Sequence, residues 1–423
     1  MRALWILLSA SLAFAAPHYL SLDDLIALSL RKSPDLAIYR ADLNASLARY
    51  RESRSLQKPA LTLQGGAGGA MSRIDETLTT ALVTGTLAAS QLLYDFGRSG
   101  GRIEAAQKLS EAADADLKQA VLDKIYQVKA AYYRLLQAKH LIAVAEEDVR
   151  LNEKQLYRAQ RYFEAGIRTK IDVTDAEVNL LQAKKRLSDT RYDYLRTGYE
   201  LARVVGVDAE AKGYEILKPR LDANATQAAR PTRTLEELES FAYAHRPDLA
   251  ACRLRRQSAL ATVKEAKGAY YPRLALEGDY TLNRVSDDAF ESLLPEQQAR
   301  GLVTLRWNLY EGGARSARYQ QAVAQSQKTT AACLRQKLTV RQQVADAYTL
   351  TRKAYERVQL AARLAEAAKE KFHQAQKRYE NGLADFIELQ QARQGHIDAE
   401  AALVVDVYAF FTTLANLDRA VGR

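Results

Sequence analysis

The chain is written twice. Leu22-Asp23-Asp24-Leu25 followed by Pro34-Asp35-Leu36-Ala37 returns as Leu235-Glu236-Glu237-Leu238 followed by Pro247-Asp248-Leu249-Ala250, at an offset of 213 residues. Pro59 returns as Pro272 at the same offset. Farther on, Leu93-Tyr94-Asp95 returns as Leu309-Tyr310-Glu311, Gly166 as Gly382 and Val205-Gly206 as Val421-Gly422, now at 216, so the second copy has gained three residues between Pro272 and Tyr310. Self-similarity at a fixed offset means that one supersecondary unit is built twice. The first repeat spans 16–206 and the second 232–422. Residues 207–231, with Pro219 and Pro231, form a linker or equatorial segment between them.

Each copy reads as helix, hairpin, long helix, tip, helix. Leu22, Leu25, Ile26 and Leu28 share one helical stripe, opened by Ser21 and Asp24 at capping-box spacing. The pattern predicts strands at about 60–70 and 81–93, a long helix at about 98–165 and a return helix at 167–206. In the second copy it predicts strands at about 273–283 and 301–310, a long helix at about 312–381 and a return helix at 383–421. Between Gly101 and Ala165 no proline or further glycine interrupts a run in which Leu109, Ala113, Leu117, Val121, Ile125, Val128, Tyr132 and Leu135 recur by threes and fours. Sustained steps of this kind predict coiled-coil-like packing, and about 65 residues at 1.5 Å each make a rod of roughly 100 Å. Gly166 and Gly382 break these runs as C′ glycines do, folding each long helix back through an αα-hairpin.

Between Pro272 and Tyr310 the hydrophobic period changes to two. Leu274, Leu276, Tyr280 and Leu282 alternate with Glu277, Asp279, Thr281 and Asn283; Val303, Leu305, Trp307 and Leu309 alternate with Thr304, Arg306 and Asn308. A soluble sheet alternates in the same way, but runs of about 9 to 11 residues have the length of a tilted transmembrane strand. The first copy repeats the pattern faintly, through Leu61, Leu63, Gly65, Ala67 and Val83, Gly85, Leu87, Ala89. Four strands cannot close a barrel, since the smallest single-chain membrane barrels need about 8. A chain of this kind spans a membrane only as an oligomer, with eight strands from two copies or twelve from three.

Composition narrows the remaining classes. Glycine (20) and proline (8) are scarce for 423 residues, which excludes collagen-like and low-complexity chains. The formal charge is +10, but Glu146, Glu147, Asp148, Arg150, Glu153 and Lys154 show how the basic residues alternate with acids, and without a basic block no nucleic acid is expected as a partner. His18, His140, His245, His373 and His396 are scattered singly and read as solvated side chains. Cys252 and Cys333 form no C-x-x-C pair, and the spacing supports neither a zinc ribbon nor a disulfide framework. No catalytic motif, metal cluster or cofactor fingerprint is present, and no enzyme is expected. Residues 1–15, with Arg2, a short apolar run and Ala13-Phe14-Ala15, have the layout of a secretory signal peptide.

The doubled Pro-Asp-Leu segments, the Leu93-Tyr94-Asp95-Phe96-Gly97 and Leu309-Tyr310-Glu311-Gly312-Gly313 junctions and the glycine tips resemble the TolC-like outer-membrane efflux and secretion channels over nearly the whole mature chain. The resemblance implies a mainly α fold with a small membrane β-barrel. In that fold a homotrimer places a twelve-stranded barrel in outer-membrane lipid on a long periplasmic α-helical barrel. It implies an exit duct of a tripartite efflux pump or type I secretion system in a Gram-negative bacterium, with a periplasmic adaptor (membrane fusion) protein and an inner-membrane transporter as partners. The adaptor-contacting tips would be Gly166, Ile167, Arg168 and Thr169 with Gly382, Leu383, Ala384 and Asp385. The periplasmic entrance and gate would fall at Asp172, Asp175, Glu388 and Gln391. Two departures stand out: Gln391 is neutral where the family carries a carboxylate, and Asp385 stands where it carries the basic partner of the Asp172 position. The competing expectation is a periplasmic coiled-coil scaffold or adaptor that does not span the membrane.

Overall fold

The computed structural model describes residues 18–73, 77–167, 169–207, 214–216, 233–285 and 297–423. The segment read as a signal peptide, Arg168 and most of 207–231 lie outside the described residues. The chain divides into two compact units. One comprises Met1–Ala37, Gln119–Arg246 and Val340–Arg423, the other Ile38–Lys118 and Pro247–Thr339.

The elements follow in duplicate. After β1 (His18–Leu20) come α1 (Leu22–Lys32), α2 (Pro34–Ser55), β2 (Ala60–Arg73), β3 (Thr77–Tyr94), α3 (Arg98–Glu164) and α4 (Lys170–Val205). After β4 (Tyr214–Ile216), which pairs parallel with β1, come α5 (Leu235–His245), α6 (Pro247–Gly268), β5 (Arg273–Val285), β6 (Gln297–Arg306), α7 (Ala314–Glu380) and α8 (Phe386–Val421). Corresponding helices have equal lengths of 11, 22, 67 and 36 residues in the two halves. Among the described residues no helix is long and apolar enough to cross a membrane.

The same local chemistry acts twice. Ser21 and Thr234 open α1 and α5 with capping boxes closed by Asp24 and Glu237. Pro34 and Pro247 begin α2 and α6, where a missing backbone N–H is harmless. The return helices end at Gly206 and Gly422 in the left-handed region, each backed against the turn that separates the two short helices of its own copy. An added Cβ at Gly206 would sit 3.2 Å from the Lys32 carbonyl, and one at Gly422 would sit 3.2 Å from Arg246 Cα.

In the unit holding the helix tips, the main core gathers Leu25, Val128, Tyr132, Leu135, Leu136, Leu201, Val205, Val404 and Tyr408. In the other unit the α3 stripe turns over: Ala105, Ala112 and Ala115 are buried while Leu109, read as part of the packing stripe, faces outward. The cause is close helix approach. A Cβ added at Gly101 would lie 2.6 Å from the Glu265 backbone nitrogen, and one at Gly268 would lie 2.8 Å from that of Arg98. At such spacing only glycine, alanine and serine fit, as in the Ser258 Oγ donation to the Ala105 carbonyl at 2.9 Å. The same unit corrects the cysteine reading, because Cys252 of α6 and Cys333 of α7 are joined in a disulfide with Cα atoms 5.5 Å apart.

Candidate functional site

The four-stranded sheet has the order β2-β3-β5-β6 and is antiparallel throughout. The register sorts its residues by face. Leu63 pairs with Leu87, Leu87 with Tyr280, Leu276 with Val303 and Leu274 with Leu305, all on one side. That side also takes Leu61, Val83 and Leu282, and its large side chains are bare: Leu63 is 80% exposed. On the other side Gln64 pairs with Thr86, Thr86 with Thr281, Ser90 with Glu277 and Asp279 with Arg300. Here polar groups satisfy one another. Thr86 and Thr281 hydroxyls lie 3.2 Å apart, Thr304 Oγ1 donates to Glu277 at 3.1 Å, and Arg300 meets Asp279 at 3.2 Å. The sheet is thus apolar outward on one face and polar on the other, with β2 and β6 as open edges whose backbone groups need partners.

Aromatic residues collect where the strands meet the helices. Tyr94, Phe96, Tyr271, Trp307 and Tyr310 are exposed there. Phe96 takes a left-handed backbone, φ 54°, unusual for a bulky residue, and stacks on Tyr271 with ring centroids 5.1 Å apart. β6 stops at Arg306, short of the predicted end near Tyr310, because its partner β5 begins at Arg273 after Pro272, which has no N–H to give. The indole of Trp307 donates instead to the Tyr270 carbonyl at 3.1 Å.

At the tips, Gly166 and Gly382 close α3 and α7 in Schellman motifs. Ile167 N donates to Tyr162 O at 2.9 Å, and Leu383 N donates to Arg378 O at 2.8 Å. Ile167, Ile171, Leu383 and Ile387, related in pairs by the repeat, project outward, with Ile171 and Leu383 each 70% exposed. Beneath them Ala159, Ala176, Ala375, Tyr379, Phe386, Leu389 and Ala392 pack together, and Ala384, expected on the surface, is buried among them. The acids expected at the gate and the tips have local duties. Asp172 Oδ2 accepts from Thr169 N at 3.1 Å, Asp385 Oδ1 accepts from Glu388 N at 2.7 Å, and Glu388 faces Arg378 at 3.4 Å. Acids in the first turn suit the positive end of the helix dipole. Asp175 and Gln391 are exposed.

The sequence reading missed a polar core in the same unit. Asp148 of α3 and Arg393 of α8 are only 2% and 3% exposed and are ion-paired. Asn152 donates to the same carboxylate at 3.0 Å, and Arg186 of α4 stands 3.6 Å from its second oxygen. Burial pulls the Arg393 guanidinium below its usual range, with the Asp148 charge opposing the fall. One turn on, His396 is buried against Phe372, stacked at 5.5 Å, which corrects its reading as solvated. A signal did exist. Asp148, Asn152, Gln155 and Ala159 step by fours and threes along the buried stripe that Val128, Tyr132 and Leu135 begin. Among the described residues no group of His, Cys, Asp or Glu is arranged to hold a metal ion.

The sequence profile described as "Outer membrane efflux protein" matches residues 25–207 and 239–423. The chain is 24% identical over 413 residues to the probable efflux pump outer membrane protein TtgC of Pseudomonas putida, covering 96% of this chain and 83% of the relative. It is 28% identical over 414 residues to protein CyaE of Bordetella pertussis, covering 95% and 85%. Its fold superposes on the outer membrane protein VceC of Vibrio cholerae with a TM-score of 0.81 at 19% identity, over 95% of this chain and 96% of that one.

Proposed function

From the premise that the chain belongs to the outer membrane efflux protein family, we propose that it is the exit duct of a tripartite efflux pump or type I secretion system, assembled as a trimer and opened at the helix tips. An outer-membrane efflux channel of a Gram-negative bacterium is the reading that family and relatives support, with the helices in the periplasm. The observation that carries the duct is the sheet: four antiparallel strands, apolar on one face and polar on the other, with both edges unpaired among the described residues. Lipid tolerates no open edge, so the edges of one copy must pair with those of the next until the ring closes. Three copies give twelve strands, with Leu63 and Leu305 toward lipid and Thr281 and Asp279 toward the lumen.

Exposed apolar side chains support the same assembly. Val178, Leu181, Tyr192, Leu195 and Tyr199 fall on one heptad stripe of α4, and Leu350, Leu360 and Leu364 on α7, all bare in the single chain. The repeat-related counterparts of the buried Arg393 and Asp148 are Glu177 of α4 and Leu364 of α7, both exposed. An interface that one copy builds between its own halves is therefore matched by surfaces that would meet between copies. The exposed Ile167, Ile171, Leu383 and Ile387 suit docking of a periplasmic adaptor, which couples the duct to an inner-membrane transporter. The test is the mass and single-channel conductance of detergent-purified protein. A trimer that conducts in planar bilayers is expected; a monomeric, detergent-free particle without conductance would replace the duct with a periplasmic scaffold.

A further inference from the structure

The polar face of the sheet carries an arrangement that a neutral duct does not need. Arg273, the first residue of β5, lies directly opposite Arg306, the last of β6, and both belong to the polar face. Like charges directly opposite each other weaken a sheet. A pair six residues farther along the same face shows the alternative, for Asp279 and Arg300 sit opposite each other and meet at 3.2 Å. Among the described residues no carboxylate lies within ion-pair distance of Arg273. Arg306 approaches Glu277 only at 3.9 Å, and that carboxylate also accepts from Thr304.

Two hollows of about 350 and 370 Å³ flank this pair and share both arginines. The first adds Arg98 and Arg318, and the second adds Lys58, Ser90 and Gln91. The acids nearby are already engaged. Asp95 accepts from Ser99 N at 2.6 Å. Glu311 is held below its ordinary carboxylate range by the Asn308 amide, which donates at 2.7 Å, and then by Arg315 and Arg318. Five cationic side chains thus surround the hollows against three carboxylates, of which Glu277 and Glu311 pair with Arg306 and Arg318 of the same set, leaving the positive charge in excess.

We propose that the Arg273–Arg306 pair is a binding site for the oxyanion groups (phosphate, sulfate or carboxylate) of multivalent anionic solutes moving through the duct. Guanidinium forks take such groups two oxygens at a time, and a bound dianion removes the repulsion between the two arginines. The site rests on the duct reading, because it is the lumen assignment of the polar face that puts cargo in front of it. The fixed positive charge raises the local concentration of anions and favours their passage.

The experiment uses full-length detergent-purified protein in neutral phosphatidylcholine bilayers at physiological ionic strength, with inorganic tripolyphosphate as the probe. Tripolyphosphate lowers the parent's conductance in a saturable way, and R273Q/R306Q raises the half-blocking concentration on the order of tenfold. The variant keeps the parent's oligomer on native gels, and its block is read relative to its own conductance without the probe. R300Q removes a single charge from the same face, from an arginine already paired with Asp279, and it shifts the block by much less than half as much on a logarithmic scale. Equal block in parent and R273Q/R306Q, or equal weakening by R300Q, overturns the site. Loss of the parent's block when phosphatidylglycerol replaces phosphatidylcholine means that a lipid headgroup holds the arginines, which overturns the solute reading. A parent protein that conducts no ions refutes the duct instead. Calorimetric titration of tripolyphosphate into the same solubilised proteins then decides the site by itself: heat seen only in the parent upholds it, and equal heats overturn it.

Discussion

Asp148 and Arg393 sit 245 residues apart in sequence and a salt bridge apart in space. Taking both charges out of water is costly, so the pair need not add net stability, but breaking it on one side strands a charge in the core. Arg393→Met leaves the Asp148 carboxylate with Asn152 and only the half-exposed Arg186 at 3.6 Å. The expected loss is about 3–5 kcal/mol, seen as a lower apparent Tm in a far-UV circular dichroism melt of the purified protein. Asp148→Leu combined with Arg393→Met restores most of it, since apolar residues of similar volume tolerate the site. A double variant no more stable than the single one would mean that the pair contributes through its attraction. Lys124 presents a milder case of the same asymmetry. It is buried beside Asp35 at 2.6 Å, while Val340 occupies the repeat-related place. Each copy was fitted separately to its neighbours, which a duplicated motif alone does not reveal.

At the scale of elements, the duplicated segments announce the helices because their signals are local. Pro34 and Pro247 mark starts, Gly166 and Gly382 mark ends, and period-two alternation marks β5 and β6. What the sequence conceals is which face of a helix another helix will choose. Leu109 belongs to the apolar repeat of α3 yet faces outward, because α6 approaches too closely for a leucine. The Cys252–Cys333 bond was hidden for a similar reason: only the packing of α6 against α7 brings together two residues 81 apart. Adjacent glycines of α3 test the close approach. Gly101→Ala drives a Cβ to 2.6 Å from Glu265 N and 2.9 Å from the Ala261 carbonyl, both backbone atoms. Overpacking of this kind costs about 1–3 kcal/mol. Gly100→Ala meets nothing within 4 Å and stabilises by about 0.5–1 kcal/mol through helix propensity. Opposite shifts in Tm for the two variants are the expected result, and equal shifts would remove the helix contact as the reason for Gly101.

For the whole molecule, the proposed function gives the exposed apolar surfaces two roles that have to be told apart: meeting another copy and meeting a different protein. The α4 and α7 stripes run along the helices at heptad spacing, as a wall between like subunits requires, whereas Ile167, Ile171, Leu383 and Ile387 are confined to the turns. A charge placed on each separates the two roles. Tyr192→Glu with Leu364→Glu buries carboxylates in the proposed subunit interface, where an unpaired charge is not tolerated. The purified protein then runs as a monomer, and both conductance and export disappear. Leu383→Glu faces solvent in the free channel, so the proposed trimer and its conductance in bilayers persist. On the proposed docking role of the tips, export is lost because that surface has become charged, and Gly382→Pro acts in the same way by distorting the turn. Complementation of an export-deficient strain, read beside native mass on the same preparations, checks both. Normal export by Leu383→Glu takes the tips out of the mechanism, and a trimeric Tyr192→Glu/Leu364→Glu variant moves the subunit boundary to another face of the helices.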